Sequence, residues 1–138
     1  MIFVDASAIV AILTREPEDA ALAAALDAAQ DVITSPIAVY EAALGVCRKR
    51  HSSVAEAEHD VDAFLDAARV RVMPVDDNDR RAALDAFSRY GKRTGHPAQL
   101  NLGDCFAYAV ARNRRAALLF KGDDFSKTDI ERWSDQSR

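Results

Sequence analysis

The feature that most constrains the fold is an alternation along the chain. Short runs of β-branched and other apolar residues alternate with longer alanine-rich stretches at helical spacing. This pattern predicts an α/β domain in which helices flank a short, mostly parallel sheet, an α/β/α sandwich. The chain has 138 residues, the size of one ordinary domain. We therefore expect a single domain over 1–138, ending in a polar tail over 131–138.

Turn residues and helix caps divide the pattern into elements. The predicted strands span 2–5, 31–34, 71–75 and 117–120. The predicted helices span 6–14, 17–30, 36–50, 54–68, a stretch capped by 76–79 that reaches 90, and 103–112. The longest loop is 91–101, which contains two glycines and a proline. Loops of this length often serve function.

Several protein classes are excluded by composition and motif. No apolar run approaches the roughly 18 residues that span a bilayer, and the apolar start has no basic segment and carries Asp5 early, unlike a signal peptide. The two cysteines, Cys47 and Cys105, match no disulfide framework, zinc or redox spacing. P-loop, GxGxxG and GxSxG motifs are absent. We expect a cytoplasmic protein with no membrane partner.

Acidic residues occur where α/β proteins place ligand groups. Asp5 ends the first strand, and Asp124 or its neighbour Asp123 follows the last one. Glu41 and Asp104 lie on apolar faces of the third and sixth helices, where an unpaired carboxylate is costly. These four positions predict a cluster of carboxylates.

Each acid taken alone has a structural alternative. Asp5 is a suitable helix N-cap, and Ser7 beside it can support either a metal or the cap. Asp104 complements the dipole of the sixth helix, with Asn101 either capping that helix or steadying Asp104. Asp124 fits a Gly-Asp turn.

Glu41 has an alternative of its own, which is to flank the apolar stripe and pair with Arg48 or Lys49. Four coincidences together are much less expected than one. If the acids converge, each like-charge pair at 4 Å costs about 4 kcal/mol at an effective dielectric near 20. Such a site binds cations or stays partly protonated.

The donor atoms indicate which cation. Carboxylate oxygens suit Mg²⁺, or Mn²⁺ as a substitute, whereas His51, His59 and His96 show no zinc-ligand spacing with the cysteines. Hard divalent ions on carboxylates favour phosphoryl chemistry, because they activate water and stabilise a leaving oxygen.

The net charge of −4 is accounted for by the predicted site, because removing four of the 22 acidic residues leaves 18, equal to the 18 lysines and arginines. Basic residues that can hold a phosphate backbone lie in the long loop and at two helix ends. They are Lys92 and Arg93 in the loop, Arg112, Arg114 and Arg115 after the sixth helix, and residues 48–51 after the third. The alternative is that cations at helix C-termini only complement the dipole.

The sequence resembles PIN-domain ribonucleases of the VapC toxin type. The resemblance covers nearly the whole chain, in MIFVDASAIVAIL, SPIAVYEAAL, HPAQLNLGDCFAYAVAR and LLFKGDDFSKTDI. It implies a PIN-like fold, Mg²⁺-dependent cleavage of RNA, a homodimer and inhibition by a VapB-like antitoxin. It assigns the acidic residues to Asp5, Glu41, Asp104 and Asp124, the last because the family's acid directly precedes the Phe. Ala6 departs from the family, which often has a hydroxyl there.

We therefore predict an RNA endonuclease in which Asp5 and Asp104 are the principal metal ligands. Glu41 completes the site or acts through a water, and Asp124 binds a second ion or orients the attacking water. The alternative is a catalytically silent PIN-fold interaction module, which the presence of all four acids disfavours. A phosphatase of the haloacid dehalogenase type is disfavoured because FVDAS lacks a second Asp two residues after the first.

Overall fold

A computed structural model describes residues 1–133 of the chain. Its elements alternate as the sequence pattern predicts. The strands are β1 (Ile2–Val4), β2 (Val32–Thr34), β3 (Val70–Val72) and β4 (Ala117–Leu119). The helices are α1 (Ala6–Leu13), α2 (Asp19–Ala28), α3 (Pro36–Arg50), α4 (Val54–Ala67), α5 (Asp77–Tyr90) and α6 (Leu102–Asn113), followed by a 3₁₀ turn at Phe125–Lys127.

The four strands form one parallel sheet in the order β3-β2-β1-β4. In register, Phe3 of the central strand β1 is paired with Ile33 on one side and Leu118 on the other. Because every strand runs in the same direction, their carboxyl ends share one edge of the sheet. This is the edge at which open α/β sheets bind ligands.

Alternate residues of each strand face opposite layers. Ile2, Val4 and Val32 pack in a core with helices α1 to α4. Phe3 and Ile33 pack in a second core with α5 and α6. The sheet is thus covered on both faces, which confirms the predicted α/β/α sandwich.

Two element boundaries differ from prediction. Pro17 does not open α2. It lies in the turn that joins α1 to α2, where Arg15 adopts a left-handed conformation with φ 55°. Strand β3 was predicted to reach Val75 but ends at Val72. Sheet bonding stops with the Met73 N–H, which donates to the Thr34 carbonyl, because the neighbouring strand β2 ends at Thr34 and the chain there enters α3.

The predicted polar tail over 131–138 is partly in error. The Leu118 N–H donates to the Glu131 carbonyl and the Trp133 N–H donates to the Leu118 carbonyl, so Arg132 forms a parallel bridge beside β4. Trp133 packs against the core that contains α1 to α4. Residues 134–138 lie outside the described part of the chain. Over residues 1–133, no helix is long and apolar enough to cross a bilayer.

Candidate active site

A cleft of about 330 Å³ opens at the carboxyl edge of the sheet. Three of the predicted acids line it. Asp5 enters from the end of β1, Glu41 from α3 and Asp104 from the first turn of α6. Residues separated by about a hundred positions in the sequence therefore meet in one cleft.

Asp5 serves as a helix cap and is also a buried acid. Its side chain is only 5% exposed and accepts hydrogen bonds from the Ser7 backbone N–H at 3.0 Å and the Ser7 hydroxyl at 2.6 Å. Burial raises the pKa of Asp5, and the bonds from Ser7 oppose that rise. The cap explains why the carboxylate is fixed, and the burial shows that a charge there needs compensation.

Asp104 combines the same two properties. Its backbone N–H donates to Asn101 Oδ1 at 2.8 Å, and its carboxylate accepts from the Asn101 N–H at 3.1 Å. This capping box begins α6. Burial raises the pKa of Asp104 to about 6, against the lowering effect of the Asn101 bond, and the charges of Asp5 and Asp124 raise it further.

Glu41 lies against the backbone of α6. No hydrogen bond or ion pair within residues 1–133 reaches its carboxylate, so the predicted alternative of pairing with Arg48 or Lys49 is wrong. Burial first, and then the charges of Asp5 and Asp104, raise the pKa of Glu41 to about 7. In this position the carboxylate occupies space that a side chain at position 103 would need, because a Cβ there would stand 2.1 Å from Glu41 Oε2.

Asp124 precedes the 3₁₀ turn and is exposed, outside the residues that line the cleft. Its charge nevertheless raises the pKa of both Asp5 and Asp104. Asp124 is therefore close enough for its charge to act on the two buried acids.

The donor set fits a hard divalent cation. Three carboxylates with raised pKa values face one cleft, and like charges contribute to each rise. Over residues 1–133, no group of three or more acidic, histidine or cysteine side chains is arranged to hold a metal ion. Mg²⁺ does not require three protein ligands, because it usually keeps several waters and binds through one or two carboxylates.

The basic residues proposed for RNA divide into two groups. Lys92 lies near the acids, since its charge lowers the pKa of Asp104, and Arg93 follows it in the same exposed loop. Arg112, Arg114 and Arg115 stand at the opposite end of α6, with Arg114 about 15 Å along the axis from Asp104 at 1.5 Å per residue.

Two of those arginines are already engaged. Arg114 Nη1 donates to the buried Asp79 carboxylate at 2.9 Å, and Arg112 bonds to Tyr108 and Asp129. These bonds make Arg112 and Arg114 weaker candidates for RNA contacts than the loop residues Lys92 and Arg93.

Three residues that shape or line the cleft were not predicted from the sequence. Gly103 sits directly before Asp104, and the Glu41 carboxylate lies in the space that a side chain at position 103 would occupy. Glu16 and Lys121 line the cleft from the α1–α2 turn and from the residue after Phe120. No periodicity marks them, because both lie in turns whose contacts depend on the tertiary fold.

Comparisons with known proteins identify related chains. The PIN domain profile matches residues 2–131. A VapC ribonuclease of Rhizobium meliloti (strain 1021) is 43% identical over 141 aligned residues, covering 94% of this chain and 99% of the relative.

Solved structures show the same fold at lower identity. The VapC20 toxin of Mycobacterium tuberculosis, described as cleaving the Sarcin-Ricin loop, superposes with a TM-score of 0.74 at 20% identity, covering 94% of this chain and 96% of its own. The protein of a toxin-antitoxin complex from Klebsiella pneumoniae superposes with a TM-score of 0.67 at 18% identity, with 91% of each chain covered.

Proposed function

The chain belongs to the PIN domain family, in which its relatives are VapC ribonucleases, and on that premise we propose that it is a metal-dependent endoribonuclease. It hydrolyses phosphodiester bonds in RNA and acts as the toxin of a VapBC-type pair. The observation that carries this proposal is the meeting of Asp5, Glu41 and Asp104 in one cleft with pKa values raised by burial.

Asp5 and Asp104 would be the principal ligands of Mg²⁺, or of Mn²⁺ in its place, with Glu41 and Asp124 in support. Both principal acids are held by helix caps, so their oxygens are oriented before any ion arrives. When bound, such an ion supplies positive charge that favours ionisation of water and stabilises the leaving oxygen. The side chains of the protein orient the carboxylates and transfer a proton.

Proton transfer is assigned to Glu41. Its carboxylate has no cationic partner among the described residues, so Oε1 and Oε2 are both available to accept a proton from the attacking water. Asp124 orients that water. Ser7 keeps one Asp5 oxygen occupied and thereby fixes which oxygen faces the cleft.

We also propose a VapB-like antitoxin as the partner. An inhibitor that inserts an Arg or Lys among the acids would replace the metal's charge with charge-assisted hydrogen bonds. The toxin-antitoxin assembly of the structural relative from Klebsiella pneumoniae supports such a partner. A homodimer is proposed from the family resemblance alone.

The test is cleavage of purified bacterial RNA, with wild-type protein and with Asp5→Asn. The wild type should cleave the RNA when Mg²⁺ is added, and EDTA should stop this cleavage. Asp5→Asn should be inactive yet folded, because asparagine is also a good N-cap. Asp62→Asn, an exposed acid of α4, is the matched control and should cleave normally.

Undiminished cleavage in excess EDTA, with protein shown free of contaminating nuclease, would overturn the metal-dependent mechanism. Absence of cleavage in the wild type under every divalent ion, together with stable binding to a partner, would favour the silent interaction module.

A further inference from the structure

The cleft that holds the acids also has a basic wall. Besides the carboxylates, it is lined by Arg48 and Lys49 of α3 and by Lys121 after β4. Arg48 follows Glu41 by seven residues, so the two lie on the same face of α3 about 10 Å apart along its axis. One helix face thus presents an acid and, two turns later, a cation to the same cleft.

The two lysines are tied together by one carboxylate. Glu16 accepts from both Lys49 and Lys121, and its side chain is only 12% exposed. Lys121 also approaches Glu18, at 3.6 Å. Glu16 comes from the α1–α2 turn, so it fixes the ammonium groups of two distant segments at one wall of the cleft.

The basic wall is joined to the acidic site by hydrogen bonds. The Lys121 backbone N–H donates to Ser7 Oγ at 3.0 Å, and the Ser7 hydroxyl donates to Asp5 at 2.6 Å. A continuous chain of contacts therefore runs from Asp5 through Ser7, Lys121 and Glu16 to Lys49. The cations have a defined position beside the acids.

Stabilisation of the fold is a weak explanation for this wall. The Lys49 and Lys121 side chains are 49% and 36% exposed, and ion pairs at such exposure contribute little. Glu16 and Glu18 are two carboxylates against three cations, namely Lys49, Lys121 and Arg48. No ion pair to Arg48 is found within residues 1–133, so this wall keeps one positive charge in excess.

A polyanion needs such charge. An acidic cluster repels the backbone of RNA, and cations held beside it restore attraction and set the position of the strand. We propose that Lys49, Lys121 and Arg48 form a phosphate-binding wall that positions the RNA backbone next to the acids, with Glu16 holding the lysines in place. This proposal rests on the proposed function, and the three are positioning residues.

The experiment measures binding of a short fluorescein-labelled RNA of mixed sequence by anisotropy across a salt series. EDTA is present, so that cleavage does not interfere. Lys49→Gln and Lys121→Gln should each weaken binding about tenfold, as expected for a lost hydrogen bond to a charged group. Each should also flatten the slope of log affinity against log salt by about 0.7, the value for one phosphate contact on a single strand.

The matched control is Arg81→Gln, an exposed cation of α5 that faces Asp77 at 3.6 Å, away from the cleft. It should leave the affinity and the slope unchanged, and Lys121→Arg should retain both. If the contacts of Glu16 with the two lysines only stabilise the fold, the lysine variants should have a lower melting temperature and an unchanged slope of log affinity against log salt.

Failure of the phosphate-binding wall can be distinguished from failure of the proposed nuclease function. If the wild type cleaves RNA but Lys49→Gln and Lys121→Gln bind like Arg81→Gln, the phosphate-binding wall is refuted and the nuclease stands. If the wild type binds RNA through these lysines but never cleaves it with any divalent ion, the wall stands and the proposed reaction is refuted.

Discussion

Replacing Gly103 with alanine should separate activity from stability. A Cβ at this position would lie 2.1, 2.2 and 2.3 Å from Oε2, Oε1 and Cδ of Glu41. Since ordinary contact begins at 3.4 Å, the carboxylate must withdraw by about 1.3 Å. Misplacement of a reacting group by about 1 Å can reduce the rate about a hundredfold. We expect a loss of that size in single-turnover cleavage of RNA with Mg²⁺.

The fold should tolerate the same change. Alanine in a helix is favoured over glycine by about 0.5–1 kcal/mol, and moving the Glu41 side chain off its rotamer costs a similar amount. The two effects offset, so the melting temperature should stay within about 4 °C of the wild type.

A double-mutant cycle tests the physical reason. If Gly103→Ala acts through Glu41, it should cause no further loss in a Glu41→Ala background. Losses that multiply, or a Gly103→Ala protein with the wild-type rate, would refute the reasoning that the glycine exists to admit Glu41.

The remaining predictions concern charge. The raised pKa values of Glu41 and Asp104 mean that the folded state binds more protons than the unfolded state between about pH 4 and 7. The metal-free protein should therefore melt at a lower temperature at about pH 8 than at about pH 5. The reverse order of melting temperatures by calorimetry would contradict the raised pKa values. Asp104→Asn should abolish cleavage of RNA. Its melting temperature in metal-free buffer should be no lower than that of the wild type, because the amide keeps the helix cap and removes a like charge. A marked drop in melting temperature with retained activity would mean that Asp104 serves only as a cap. Asp79→Ala should lower the free energy of unfolding by about 3–5 kcal/mol, because it leaves Arg114 without its buried partner. The folded fraction of this variant should cleave RNA at the wild-type rate, because the ion pair lies at the far end of α6 from the acids.

The sequence predicted the sandwich and the elements that carry the acids, because both depend on local signals. Ser35 and Pro36 open α3 as expected of a cap and an N1 proline, and the Ser35 hydroxyl accepts from the Ala38 N–H at 3.2 Å. The capping box of Asn101 and Asp104 was also predictable from residue type and spacing. In each case the bonding partners are within three residues of one another.

The sequence could not predict contacts that depend on distant segments. The partner of Arg114 is Asp79, 35 residues away, so a cation predicted for RNA is instead in a buried ion pair. Lys121 and Glu16 are 105 positions apart and meet only after the sheet forms. The alternatives to a site role were a helix cap for Asp5 and the complementing of a helix dipole for Asp104. In the structure each carboxylate takes part in a helix cap and also faces the cleft.

The position of β1 in the sheet has a consequence for timing during synthesis. This strand carries Asp5 and lies between β2 and β4, yet Asp104 and β4 are made about a hundred residues later. At 5–20 residues per second, the ribosome needs about 5–20 s to go from the first acid to the third. Throughout that interval the nascent chain has only part of its acid set, so the cleft that holds the acids cannot form until most of the chain has been made.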